Sequence, residues 1–186
     1  MDPALLTLPG PPNLLDMASE LRVDRIVPVD GVPTGGGGGV VQVVQASTDT
    51  QVSLTATTYT DLGLSATITP RFSTSKILMM VSLQAFGSHT ADFYVGIRYV
   101  RDSTTIFTPV ANSTGSYEFG TNTDSGTRSW YSRINPPQIL DSPNTTSAVT
   151  YKPQARMYSG GTMNFHYNTS TVDKGSSYIT LMEISA

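Results

Sequence analysis

Five consecutive glycines, Gly35, Gly36, Gly37, Gly38 and Gly39, split this chain into two parts that obey different rules. A glycine run packs no side chains and favours neither helix nor strand. Before it, residues 1–34 are rich in proline and poor in regular pattern; after it, the sequence reads as strand after strand. Five flexible residues span roughly 12 Å on average and about 17 Å at full stretch, enough for a bend but too little for a free tether. The expected organisation is therefore an extended arm and hinge over residues 1–39, followed by a β domain over residues 40–186.

The arm carries apolar anchors without a core to put them in. Leu5, Leu6 and Leu8 precede a Pro-Gly-Pro-Pro break, and Leu14 and Leu15 follow it. The prolines forbid a continuous helix. Such a segment gains most by ordering on a partner's surface, with these leucines as anchors. Residues 17–34 alternate in part (Leu21 and Val23 against Arg22 and Asp24), as an extended segment does.

Residues 40–45, 51–58 and 64–69 read as strands, and Pro70 ends the third. Residues 76–86 are the most apolar run. Ile77, Met79, Val81, Leu83 and Ala85 form one face, while Leu78, Met80 and Phe86 remain on the other, which marks a central or covered strand. Residues 92–101 alternate more cleanly, with Phe93, Val95, Ile97 and Tyr99 on one side. Residues 110–128 are turn-rich and read as a long loop. Further strands are expected over 129–140, 147–157, 162–167 and 177–185. Pro136 and Pro137 call for an edge or bulge. Many short strands at even spacing, with no helical period, specify an all-β antiparallel sandwich of the jelly-roll type. Leftover apolar residues on the second strand faces, Leu78, Met80, Ile179 and Leu181, suit a subunit interface. A homo-oligomer, taken as a homotrimer, is the expected state.

Only 13% of the 186 residues are charged and the net charge is −3, so the chain offers no basic track for nucleic acid. With no cysteine, disulfides, thiolate metal sites and a thiol nucleophile are excluded. The first residues read as something other than a signal peptide, and no apolar run approaches the ~18 residues a membrane helix needs. The chain has two histidines: His89 belongs to a turn, and His166 is expected on the polar face of its strand. Asp49, Asp61, Asp102, Asp124, Asp141 and Asp173 fall at turns, where aspartate caps its own backbone. Glu183 reads as a strand-end or interface charge. No carboxylate pair, metal-ligand spacing or nucleophile elbow is present, and the glycine run lacks the Lys-Ser/Thr of a phosphate loop. The chain is expected to be no enzyme and to hold no cofactor or metal. Tyr117, Phe119 and Tyr131 form a candidate surface-binding loop for a sugar or a protein, with Trp130 assigned to the core.

Residues 40–45 (VVQVVQ), 58–70 (TYTDLGLSATITP) and 75–81 (SKILMMV) resemble the β domain of tail-fibre and other virion surface proteins of tailed bacteriophages, including phages of cyanobacteria and marine bacteria. So do residues 140–143, 147–151 and the ending 179–184. Residues 19–26 (SELRVDRI) are similar to the opening of many short phage fibre proteins. The chain has no repetitive shaft, heptad or collagen-like repeat. The resemblance therefore implies a virion component assembled in the host cytoplasm: a short trimeric tail or collar fibre, or a head decoration protein. Its implied partners are copies of itself, other virion proteins through the arm, and a host-surface glycan or protein.

Overall fold

The computed structural model describes residues 39–89, 94–108, 117–118, 128–158, 162–166 and 175–185, with backbone alone at 88, 89, 94, 117, 118 and 128–132. Every element in them is a strand: β1 Val40–Thr48, β2 Val52–Leu54, β3 Thr60–Asp61, β4 Ala66–Ile68, β5 Lys76–His89, β6 Tyr94–Arg101 and β7 Thr104–Phe107. Then follow β8 Tyr117–Glu118, β9 Arg128–Ile134, β10 Ile139–Asp141, β11 Val149–Met157, β12 Thr162–Phe165 and β13 Ser177–Ile184.

Two sheets form, of seven and six strands. β5 organises the first. Ile77, Leu78 and Met79 pair with β13 and with β10, which must therefore lie on opposite edges. Further along, residues 85–88 pair with both β12 and β9. β1 extends the sheet beyond β13, and β2 extends it beyond β12. The expectation that this strand is central holds, and the reason is its length: fourteen residues serve four partner strands. In the second sheet β11 pairs with β6, β3 and β4, while β6 pairs with β7 and β8. All of these pairings are antiparallel.

Set aside the short pair β2 and β12, and join β3 with β4, β7 with β8, and β9 with β10. Eight runs remain, ordered 1-8-3-6 in one sheet and 2-7-4-5 in the other. That is the double Greek key of a jelly roll, the fold the alternating strands called for.

The core lies between the sheets. β5 contributes Ile77, Met79, Val81, Leu83 and Ala85; β6 contributes Val95, Ile97 and Tyr99; β11 contributes Val149, Tyr151, Ala155 and Met157. Each is 5% exposed or less, so one face of each strand is dry. Two prolines mark breaks in the ladder. The Pro136–Pro137 pair lies in the connection between β9 and β10, with Pro136 buried. Pro153 lies inside β11 opposite Tyr99. On the other edge of β11, β4 covers 149–151 and β3 covers 154–155. Pro153 falls in the gap between them, where no partner strand calls for its missing N–H.

β13 corrects the sequence expectation. Ile179 and Leu181, assigned above to a subunit interface, are fully buried in the core. The outward residues are Tyr178, Thr180, Met182 and Ile184.

Candidate functional site

Two outer faces and two buried polar clusters carry the chemistry. The first face belongs to the seven-stranded sheet. Val43 stands opposite Met182, Met182 opposite Leu78, and Leu78 opposite Leu140. Four apolar side chains thus form one row across β1, β13, β5 and β10, about 14 Å wide at the usual strand spacing. Val43 is 54% exposed and Leu140 52%. Met80, Ile184 and the exposed Val40 and Tyr178 widen the band. Charge stays at its margins: Lys76 lies opposite Ile184, and Arg133 donates to Ser82 Oγ and to the Ser176 carbonyl. Leu78 and Met80 fall on the outer face as expected; Ile179 and Leu181 do not.

The outer face of the six-stranded sheet is polar and aromatic. The Arg98 guanidinium lies 4.3 Å from the Tyr59 ring centre, and that of Arg156 lies 4.3 Å from Tyr158 and 4.9 Å from Tyr59. Gly96 lies directly beneath. A Cβ added there would come within 2.9 Å of Tyr158 Cε2 and 3.2 Å of the Tyr59 hydroxyl. The rings therefore rest on bare backbone. Beside them Arg98 Nε donates to Gln154 Oε1 at 2.7 Å. Gln154 in turn donates to Asp61, and Lys152 Nζ lies 2.7 Å from Asp61 Oδ2. Burial works against the Asp61 charge, but the bonds from Lys152 and Gln154 hold its carboxyl below the usual value.

The buried clusters sit near the two ends of β13. His166, expected on a polar strand face, is fully buried just beyond β12, with φ of 54°. Its Nε2 lies 2.7 Å from the Leu62 carbonyl, which only accepts, so Nε2 carries the proton. Its Nδ1 then accepts from Ser177 Oγ at 2.5 Å, and that oxygen accepts from the Gln84 amide at 2.9 Å. Burial depresses the His166 pKa, against the opposing pull of the Leu62 bond. Glu183, expected at a strand end or interface, is also fully buried. Its carboxylate accepts from Gln42 Nε2 at 2.5 Å and from the Arg71 amide at 2.7 Å. Burial raises its pKa, but these bonds outweigh it and hold the carboxyl below the usual range.

Two of the aspartates assigned to turn capping instead work between strands. Asp61 is on β3, and Asp141, on β10, links the sheets: Arg101 Nη1 donates to its Oδ2 at 2.5 Å and the Tyr151 hydroxyl at 2.7 Å. Burial and the Asp141 bond push the Tyr151 hydroxyl well above the ordinary tyrosine pKa. Asp102 does occupy a turn, but its Oδ1 accepts from the Thr150 amide of β11.

The arm leucines Leu5, Leu6, Leu8, Leu14 and Leu15, with Gly35, Gly36, Gly37 and Gly38, lie outside the described residues, as does Phe119. The Gly39 carbonyl accepts from the Ser185 amide at 3.0 Å, beside the first residue of β1. The backbones of Tyr117 and Tyr131 are placed in different sheets: Tyr117 pairs with Val95, and Tyr131 with Phe86. Among the described residues no group of three or more His, Asp or Glu side chains could hold a metal ion, and no helix is long and apolar enough to cross a membrane.

No family model and no curated protein matches the chain. Similar solved structures include the infectious bursal disease virus VP2 subviral particle, at TM-score 0.37 and 16% identity over 77% of this chain and 37% of that one. The Gx strain of the same virus gives 0.39 and 12% over 77% and 39%. Dimeric latent PorU from Porphyromonas gingivalis gives 0.29 and 11% over 81% and 14%. The chain thus spans well under half the length of each. At such identities and TM-scores the likeness carries no functional argument.

Proposed function

We propose that this chain is a non-enzymatic virion structural protein that associates with copies of itself through the outer face of the seven-stranded sheet. In this proposal it is a short trimeric tail or collar fibre, docked on other virion proteins by its N-terminal arm. The row Val43–Met182–Leu78–Leu140 carries the reading. It is apolar across four strands, with charge only at its margins, as the centre of a subunit contact is. An uncharged row also lets three copies pack it around a shared axis without unpaired charge. The sequence resemblance to phage surface proteins supplies the virion setting.

The test is the mass of the full chain in solution by light scattering, for the wild type and for Leu140→Glu. The proposal expects an oligomer for the wild type and a folded monomer for the variant, because a carboxylate is costly to bury without a partner. A wild-type monomer, or an unchanged oligomer in Leu140→Glu, overturns the self-association. Copy number in purified virions tests the rest: tens of copies fit a fibre, hundreds fit a head decoration, and none overturns the virion role.

A further inference from the structure

The outer face of the six-stranded sheet has a different composition from the apolar row. Its described side chains include Arg98, Lys152 and Arg156 against two carboxylates: Asp61, already engaged by Lys152 and Gln154, and Asp102 at the far end of β6, engaged by the Thr150 amide. Arg98 spends its Nε on Gln154, which leaves its two terminal nitrogens. Arg156 Nε is buried without an acceptor, while the rest of its guanidinium bonds the Tyr158 and Tyr59 side chains it stacks on. Both guanidinium groups lie against tyrosine rings that rest over Gly96. Stacking fixes the plane of a guanidinium while leaving its N–H edges free to meet a planar oxyanion. Two cations held in this way keep little rotamer freedom, so less is lost when a ligand binds.

We infer that this face binds an acidic polysaccharide, with Arg98 and Arg156 holding its anionic groups, carboxylate or phosphate. The surroundings select a glycan over a protein. The neighbouring groups are hydroxyls and a carboxamide: Thr108, the Tyr59 hydroxyl and Gln154. Such groups suit a hydroxyl-rich polymer. A protein partner draws its affinity from apolar anchors, and among the described residues the large exposed apolar side chains, Val40, Val43, Leu140 and Tyr178, are all on the other sheet. The inference goes beyond the self-association proposed above and does not depend on it.

The full chain is titrated calorimetrically at low salt with four polymers: polygalacturonate, poly(glycerol phosphate), neutral dextran and polyglutamate. Binding is expected to at least one of the first two, which separates carboxylate from phosphate as the recognised group. It is expected to be absent for dextran and much weaker for polyglutamate. Arg98→Gln and Arg156→Gln should each weaken binding about fivefold, and the double variant about twentyfold, at unchanged melting temperature and oligomeric state. If Arg156→Gln disturbs folding, Arg156→Lys retains the charge but loses the fork, and should bind with intermediate affinity. No binding to either acidic glycan, equal binding by the double variant, or polyglutamate bound as tightly as the glycans would overturn the inference. The last outcome would assign the face to an acidic protein surface.

Discussion

His166 Nδ1 and Ser177 Oγ lie 2.5 Å apart where β5 passes from one partner strand to the next. His166 follows the end of β12 and its amide donates to the Gln84 carbonyl; Ser177 begins β13 and its hydroxyl accepts from the Gln84 amide. One residue of β5 is thus satisfied by both strands. With a neutral imidazole the Ser177 hydroxyl donates to Nδ1 while Nε2–H donates to the Leu62 carbonyl, and burial favours that neutral form.

That neutrality gives a pH dependence. The folded pKa of His166 lies below the ordinary histidine value of 6.5, so the unfolded chain binds the proton first. Stability is complete above about 6.5 and falls as the pH drops toward the folded pKa, by at most about 1.4 kcal/mol per pH unit. His166→Asn should flatten this slope in urea midpoints measured between pH 7 and 5, since asparagine tolerates the positive φ and does not titrate. An unchanged slope would show that another group titrates there.

Glu183 acts lower on the pH scale. Its folded pKa is held below the ordinary glutamate value of 4.5, so its contribution is present above that value and is lost as pH falls through the folded pKa. Glu183→Gln should cost about 1–3 kcal/mol at pH 7, the range for losing charge-assisted bonds in a buried site. The gap between variant and wild type should close on acidification. Denaturant titrations at pH 7 and pH 3 check both points.

Asp141 holds Arg101 and Tyr151 of the opposite sheet, with side-chain exposures of 20% for Arg101 and 12% for Asp141. Asp141→Ala should destabilise by about 2–4 kcal/mol, because it leaves a guanidinium and a hydroxyl without their acceptor. Tyr151→Phe removes one hydroxyl and should cost about 1 kcal/mol. The two effects should not add in the double variant, since they share the Asp141 carboxylate.

Gly96 tests the ring stack. Its φ does not require glycine, but a methyl group would meet Tyr158 at 2.9 Å. Gly96→Ala should cost about 1–2 kcal/mol as the ring is displaced. Tyrosine fluorescence should report that displacement, and a spectrum identical to the wild type would count against it.

Sequence alone determined the fold class. Period-two alternation in residues 76–86 and 147–157 specified strands with one dry face, and Met79 and Tyr151 are indeed in the core. What alternation leaves open is which face turns inward when both are apolar. For β13 the choice lay between Ile179 with Leu181 and Tyr178 with Met182 and Ile184. Packing decided it: the inner face ends in Ser177 and Glu183, and each finds hydrogen-bond partners there. Those partners, Gln84, Gln42 and Arg71, come from distant segments, so no local pattern could announce that Glu183 or His166 would be buried. The Arg98–Tyr59–Arg156 stack over Gly96 was hidden for the same reason. It gathers β6, β11 and the residue before β3, and only the antiparallel register places a glycine beneath two rings.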